Sequence, residues 1–203
     1  MGKSFKRIGV CLLIACVVWT TMLIADKEQL QNELIRLHVV AASDGAHDQS
    51  LKLQVRDAVV DSLRADMAKI ADPGQAEAYL RENLPKIEAL ANQVLRATGC
   101  SDIATVTLQL EEFATRYYDT FTLPAGIYEA LRITIGEGEG KNWWCVVFPT
   151  FCLGATVEEF EEIAQCSGFS DRLIGTLTGE EGYEVRFFLL DALGRLENFL
   201  GKG

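Results

Sequence analysis

Apolar residues recur along this chain at several spacings, and each spacing predicts a different element. Ile8 to Ala25 is a continuous apolar run of eighteen residues interrupted only by Gly9, Thr20 and Thr21, long enough for a membrane-spanning helix or for the core of an export signal. A short polar link, Asp26 to Glu33, follows. Leu34 to Ala41 is rich in branched side chains and predicts a strand, broken at Ser43, Asp44 and Gly45. Leu51, Val55, Val59, Leu63 and Met67 then recur at helical spacing, with Asp48 placed to cap that helix by accepting from its free amides. Pro73 and Gly74 are expected to end it. A second helix is expected from near Ala76, with Leu80, Leu84, Ile87, Ala91, Val94 and Leu95 on one face; Pro85 should kink it or restart it from an Asn83 cap, and Gly99 ends it.

Ile103 to Leu110 alternates strictly, with Val106, Leu108 and Leu110 expected inward and Thr105, Thr107 and Gln109 outward. Arg116 to Leu123 predicts a loop or a short edge strand. The most patterned stretch runs from Leu123 to Cys152. Leu131, Ile133 and Ile135 alternate with Arg132 and Thr134 until Gly136, Gly138 and Gly140 intervene, and a second apolar strand runs from Asn142 to Phe148 before Pro149. Two strands joined by a glycine-rich turn predict a hairpin. Trp143 and Trp144 on opposite faces predict a central second strand, covered on both sides. Beyond Cys152, Val157 to Ala164 predicts a short acidic helix, and Gly168 to Gly182 a polar, glycine-punctuated connection. Val185, Phe188, Leu189, Ala192, Leu193, Leu196 and Leu200 form one broad apolar face of a last helix, which must dock on the body or on a partner.

The order strand, two helices, three strands, then helices predicts an α+β domain: a largely antiparallel sheet packed by helices, with the first strand able to pair in parallel beside a central one. At 203 residues and 49% hydrophobic, the chain can bury one substantial core. The expected division is residues 1–25 as signal peptide or membrane anchor, 26–33 as linker, and 34–203 as a single exported domain.

Charge narrows the choice of partner. The net charge is −10 overall and +3 over residues 1–25, which hold Lys3, Lys6 and Arg7 and no acid, so the remainder stands at −13. Such a body is repelled by nucleic acid and by anionic lipid, which points to protein partners. The basic residues ahead of the apolar run predict that the N-terminus stays cytoplasmic while the body crosses. Ala25 suits a cleavage point and Leu23 does not, so a cleaved signal and a retained anchor both fit these residues.

Candidate chemistry is sparse. Gly136, Gly138, Gly140 and Lys141 lack the spacing of a phosphate loop, and Glu137 and Glu139 repel phosphate. The two histidines, His38 and His47, do not have zinc-helix spacing, and Ser43, Asp44 and His47 are too close in sequence to converge as a catalytic triad. Asp44 and Asp48 are too few carboxylates for a calcium loop. No cofactor is implied. Asp48, Lys52 and Arg56, four apart, put a cation pair beside an acid on one helix face; solvation is the plain reading of such a face and a recognition patch the functional one. Cys100, Cys145, Cys152 and Cys166 allow three pairings. Pro149 lets the chain turn back between Cys145 and Cys152, which favours that pair, with free buried thiols as the alternative.

Two long blocks, IRLHVVAASDGAHDQSLKLQVRDAV from Ile35 to Val59 and LPAGIYEALRITIGEGEGKNWWCVVFP from Leu123 to Pro149, together with the apolar leader, resemble the stage II sporulation protein R family of endospore-forming bacteria. The string GEGxGxNWWC is its most distinctive part. The family pattern reads Asn-Ser-Asp where this chain has Ala42, Ser43 and Asp44, and a proline and a leucine where Thr150 and Phe151 stand. The resemblance implies a non-enzymatic signalling protein made in the forespore and exported into the space between the two septal membranes. There it triggers a membrane-embedded aspartic protease of the mother cell, which cleaves an inactive sigma factor precursor. Binding the protease's exterior domain is expected to involve Asp44, Asp48, Gln49, Lys52 and Arg56 at the first helix start, with Glu137, Lys141, Asn142 and Trp143 around the glycine-rich turn. An exported envelope hydrolase and a structural septum protein are the rival classes.

Overall fold

The computed structural model describes residues 2–150 and 156–201, with side chains from residue 6 onward. The elements are α1 (Gly2–Glu33), β1 (Ile35–Val40), α2 (Ala46–Met67), α3 (Pro73–Ala97), β2 (Ala104–Phe113), β3 (Arg116–Tyr117), β4 (Thr122–Leu123), β5 (Gly126–Ile135), β6 (Asn142–Phe148), α4 (Val157–Cys166), α5 (Asp171–Thr178) and α6 (Glu184–Leu200). The main sheet has the order β2-β5-β1-β6. β1 runs parallel to β5 and antiparallel to β6, and β2 runs antiparallel to β5. The fold is α+β, as the element order predicts, and the first strand does lie in parallel beside a central one.

Every residue of β1 is buried, because the strand is paired on both edges and covered on both faces. On one face Ile35, Leu37 and Val39 pack with Leu51, Val55 and Val59 of α2 and with Leu80, Ile87, Ala91 and Leu95 of α3. On the other, Tyr128, Ala130 and Val146 meet Leu23 and Leu30 of α1, Phe160 of α4, Leu173 and Leu177 of α5 and Leu190 of α6.

The structure departs from the expected hairpin. β5 and β6 are not neighbours; β1 lies between them. The glycine-rich segment therefore crosses the end of β1, about 10 Å for two strand spacings, and the run of glycines looks the same in sequence for either route. β6 is consequently an edge strand of this sheet and not a central one. Its apolar second half is nonetheless buried, from Cys145 to Phe148.

Other differences are local. Pro73 opens α3 behind an Asp72 cap and does not end α2, which stops at Met67. Pro85 lies inside an unbroken α3. Leu110 is exposed, although Val106 and Leu108 face the core. Residues 171–178 of the expected polar connection form α5, capped by Ser170.

Asp26 to Glu33, expected as a link, is the last part of α1. Leu23, Asp26 and Leu30 share one side of that helix and are all buried. Asp26 accepts hydrogen bonds from Arg186 of α6 and, at 2.8 Å, from Arg172 of α5. α6 docks through Leu190, Asp191 and Gly194; a Cβ on Gly194 would overlap the Ala125 carbonyl oxygen. Val185, Phe188, Leu196 and Leu200, expected on a docked face, are exposed. α1 has one stretch long and apolar enough to cross a membrane, Lys6–Glu33.

Candidate functional site

The crossover between β5 and β6 sits on the β1–α2 turn, and this contact builds the candidate surface. Gly140 donates its backbone N–H to Ala41 O at 2.9 Å. There is no room there for a side chain, since a Cβ at Gly140 would lie 2.3 Å from Ser43 O. Gly138 adopts a left-handed φ of 68°, which glycine takes without steric cost. The next residue, Lys141, donates its N–H to Asp44 Oδ1 at 2.8 Å, and its carbonyl accepts from Lys52 Nζ at 2.9 Å. Lys52 also donates to Gln49 Oε1 at 2.7 Å, and Gln49 donates to Ser43 O at 2.8 Å. Arg56, one turn further along α2, lies 4.2 Å over the Trp143 ring and pairs with Asp57 at 2.6 Å.

Asp44, Gln49, Lys52, Arg56, Lys141 and Trp143 thus converge on one surface from positions far apart in sequence. Asp48 joins them but does not cap α2: the cap residue is Gly45, and Asp48 sits in the first turn and accepts from the Ser43 hydroxyl at 2.5 Å. Its charge suits the positive end of the helix. Asn142 bridges to the interior, as described below. Glu137 stays on the outer turn of the crossover, exposed and outside these contacts.

Lys52 is buried although charged. Burial lowers its pKa, as do the charges of Arg56 and Lys141, and Asp44 opposes them. Among the described residues no group of three or more His, Cys, Asp or Glu side chains is arranged to hold a metal ion.

Behind this surface lies a polar cluster that local patterning did not single out. His38 of β1 donates from Nδ1 to Glu111 Oε2 at 2.7 Å, while Nε2 meets Asn142 Oδ1 at 2.8 Å. Its ring stacks on Trp144 at 3.7 Å between centroids. Arg132 donates to the other Glu111 oxygen at 2.8 Å. Burial alone raises the Glu111 carboxyl; the hydrogen bonds from His38 and Arg132, with the charges beside it, outweigh that and bring it to about 2. The available signal was Arg36 and His38 at alternate positions of an otherwise apolar strand. Cys152, the expected partner of Cys145, lies outside the described residues, while Cys11, Cys16, Cys100 and Cys166 are free thiols.

The family model for stage II sporulation protein R matches residues 31–158. The chain belongs to the stage II sporulation protein R family. It is 32% identical over 185 residues to stage II sporulation protein R of Bacillus subtilis (strain 168), covering 82% of this chain and 83% of that one. No solved structure matches it. Membership makes it a sporulation protein. The family match extends from the last residues of α1 to the first turn of α4, so it includes all the strands described above, the crossover surface and the His38 cluster.

Proposed function

We propose that the chain is an exported signal, made in the forespore and acting in the intermembrane space, that switches on the membrane-embedded aspartic protease responsible for processing the pro-sigma-E factor. Residues 1–25 serve as signal peptide or anchor, and the α+β body is the part that meets the protease. The observation carrying this reading is the crossover surface, where residues from the β1–α2 turn, α2 and the glycine-rich segment are locked to one another by Lys52 and Asp44. A preformed surface of this kind favours one conformation of a partner, and activation requires tighter binding to the active state of the protease than to the inactive one. In this reading the chain transforms no substrate of its own. The Cys145–Cys152 bridge expected from the sequence belongs to the proposal.

Co-expression of the full chain with the candidate protease and the sigma precursor in a non-sporulating host tests the reading. Precursor cleavage should depend on this chain and should fall at least tenfold with Trp143→Ala or Arg56→Glu. Equal cleavage without the chain rejects the proposal.

A further inference from the structure

β1 directs Arg36 to the same face of the sheet as His38. Its guanidinium is fully buried, 4.2 Å from the Phe113 ring centroid and 5.1 Å from that of Tyr128. It donates from Nε to Cys145 O at 3.4 Å and from Nη2 to the Tyr118 hydroxyl at 3.0 Å, but Nη1 has no partner and no solvent. Arg116 of β3 lies 4.8 Å over the Trp144 ring, and its Nε is likewise buried and unpartnered. Among the described residues neither guanidinium is within ion-pair distance of a carboxylate, whereas Arg132, Arg172 and Arg186 each are. Burial pushes the Arg116 guanidinium below its usual range, and the Arg36 charge adds to that, against the opposing effect of Tyr118.

A buried and a half-buried guanidinium with no counter-ion among the described residues are costly in any fold, and more unexpected in a chain with a net charge of −10. Aromatic faces offset part of that cost. They leave the in-plane N–H groups of Arg36 Nη1 and Arg116 Nε unused, and guanidinium N–H groups are the donors best suited to carboxylate oxygens. The approach is graded: Arg116, Tyr118 and Trp144 are partly exposed, and Arg36 lies sealed behind them.

We infer that Arg36 and Arg116, with the Tyr118 hydroxyl beside them, form a receptor for a carboxylate presented by a ligand outside this chain. The inference does not depend on the signalling role, and its test uses the purified chain alone. The aromatic walls of Phe113, Tyr128 and Trp144 favour a flat, singly charged group over the larger, doubly charged phosphate.

The full chain in detergent should be titrated with N-acetylaspartate α-amide, which carries only a side-chain carboxylate, and with N-acetylglycine, which carries only a terminal one. Inorganic phosphate and chloride at matched ionic strength are the comparisons, and tryptophan emission and the thermal midpoint are the readouts. A saturable response to either carboxylate supports the receptor, and the tighter probe identifies the source. Arg116→Gln should weaken that binding at least tenfold without lowering the midpoint of the unliganded chain, because it removes an unpaired charge. Arg64→Gln, at an exposed arginine of α2 paired with Asp61, should leave binding unchanged. Phosphate binding as tightly as both carboxylates, no saturable response at all, or an Arg116→Gln variant that is destabilised yet still binds would each overturn the inference.

Discussion

An ammonium group held at 4% exposure has to be met by oxygen atoms, and Lys52 finds them in Gln49 and the Lys141 carbonyl. Lys52→Met keeps the apolar stem and removes the donors. It should lower stability by about 1–3 kcal/mol, read as a lower urea midpoint at unchanged slope, and, under the proposed function, should loosen the crossover enough to reduce precursor cleavage. Glu111 makes a pH prediction. Its carboxyl is depressed from the ordinary 4.5 to about 2, so the stabilisation is complete above pH 4.5 and is lost as the pH falls from there toward 2. The contribution is roughly 3 kcal/mol. Glu111→Gln should therefore show a flatter loss of stability between pH 5 and 2 than the parent chain, measured by urea unfolding across that range. Lys52 and Asp44 were legible in the sequence because they lie close together, Asp44 in the β1–α2 turn and Lys52 in the second turn of the helix that follows. Glu111 was not, since it lies 73 positions from His38 and the two meet only because β5 places β2 and β1 on its two sides.

At the level of elements, helices were the more readable part. The apolar spacing in α2 and α3 set their inward faces correctly, with Val55, Val59, Leu80 and Leu95 all buried, whereas Pro73 and Pro85 misled because proline is equally at home at a helix start and, at a cost, inside one. Strand order was less readable. Alternation showed that β5 and β6 exist but not that β1 would insert between them, since the partner of a strand edge is chosen by the whole sheet. The crossover supplies a direct test. Gly140→Ala forces a methyl group against the Ser43 backbone, where no side chain can move aside. It should cost about 3 kcal/mol or more, read as a lower denaturation midpoint, and should increase protease sensitivity between Ile135 and Asn142.

On the scale of the whole molecule, the leader and the body are one piece of structure. A leader long and apolar enough to cross a membrane was plain from the sequence, but its continuation into the body was not, because the ion pair that buries Asp26 reaches 160 positions along the chain to Arg186. Asp26→Asn leaves that arginine buried without its counter-charge and should destabilise the body by roughly 3–5 kcal/mol. Limited proteolysis should then release the segment up to Glu33 well before the sheet is cut. Only Leu34 separates α1 from β1, so under the proposed function α1 acts as a splined shaft in any copy that keeps its leader in the membrane. One residue inserted after Trp19 would turn the body by about 100° about the membrane normal, and seven would bring it nearly back into phase. Activity measured across a series of such insertions should rise and fall with the helical repeat, whereas a body hung on a flexible cord would not register the difference.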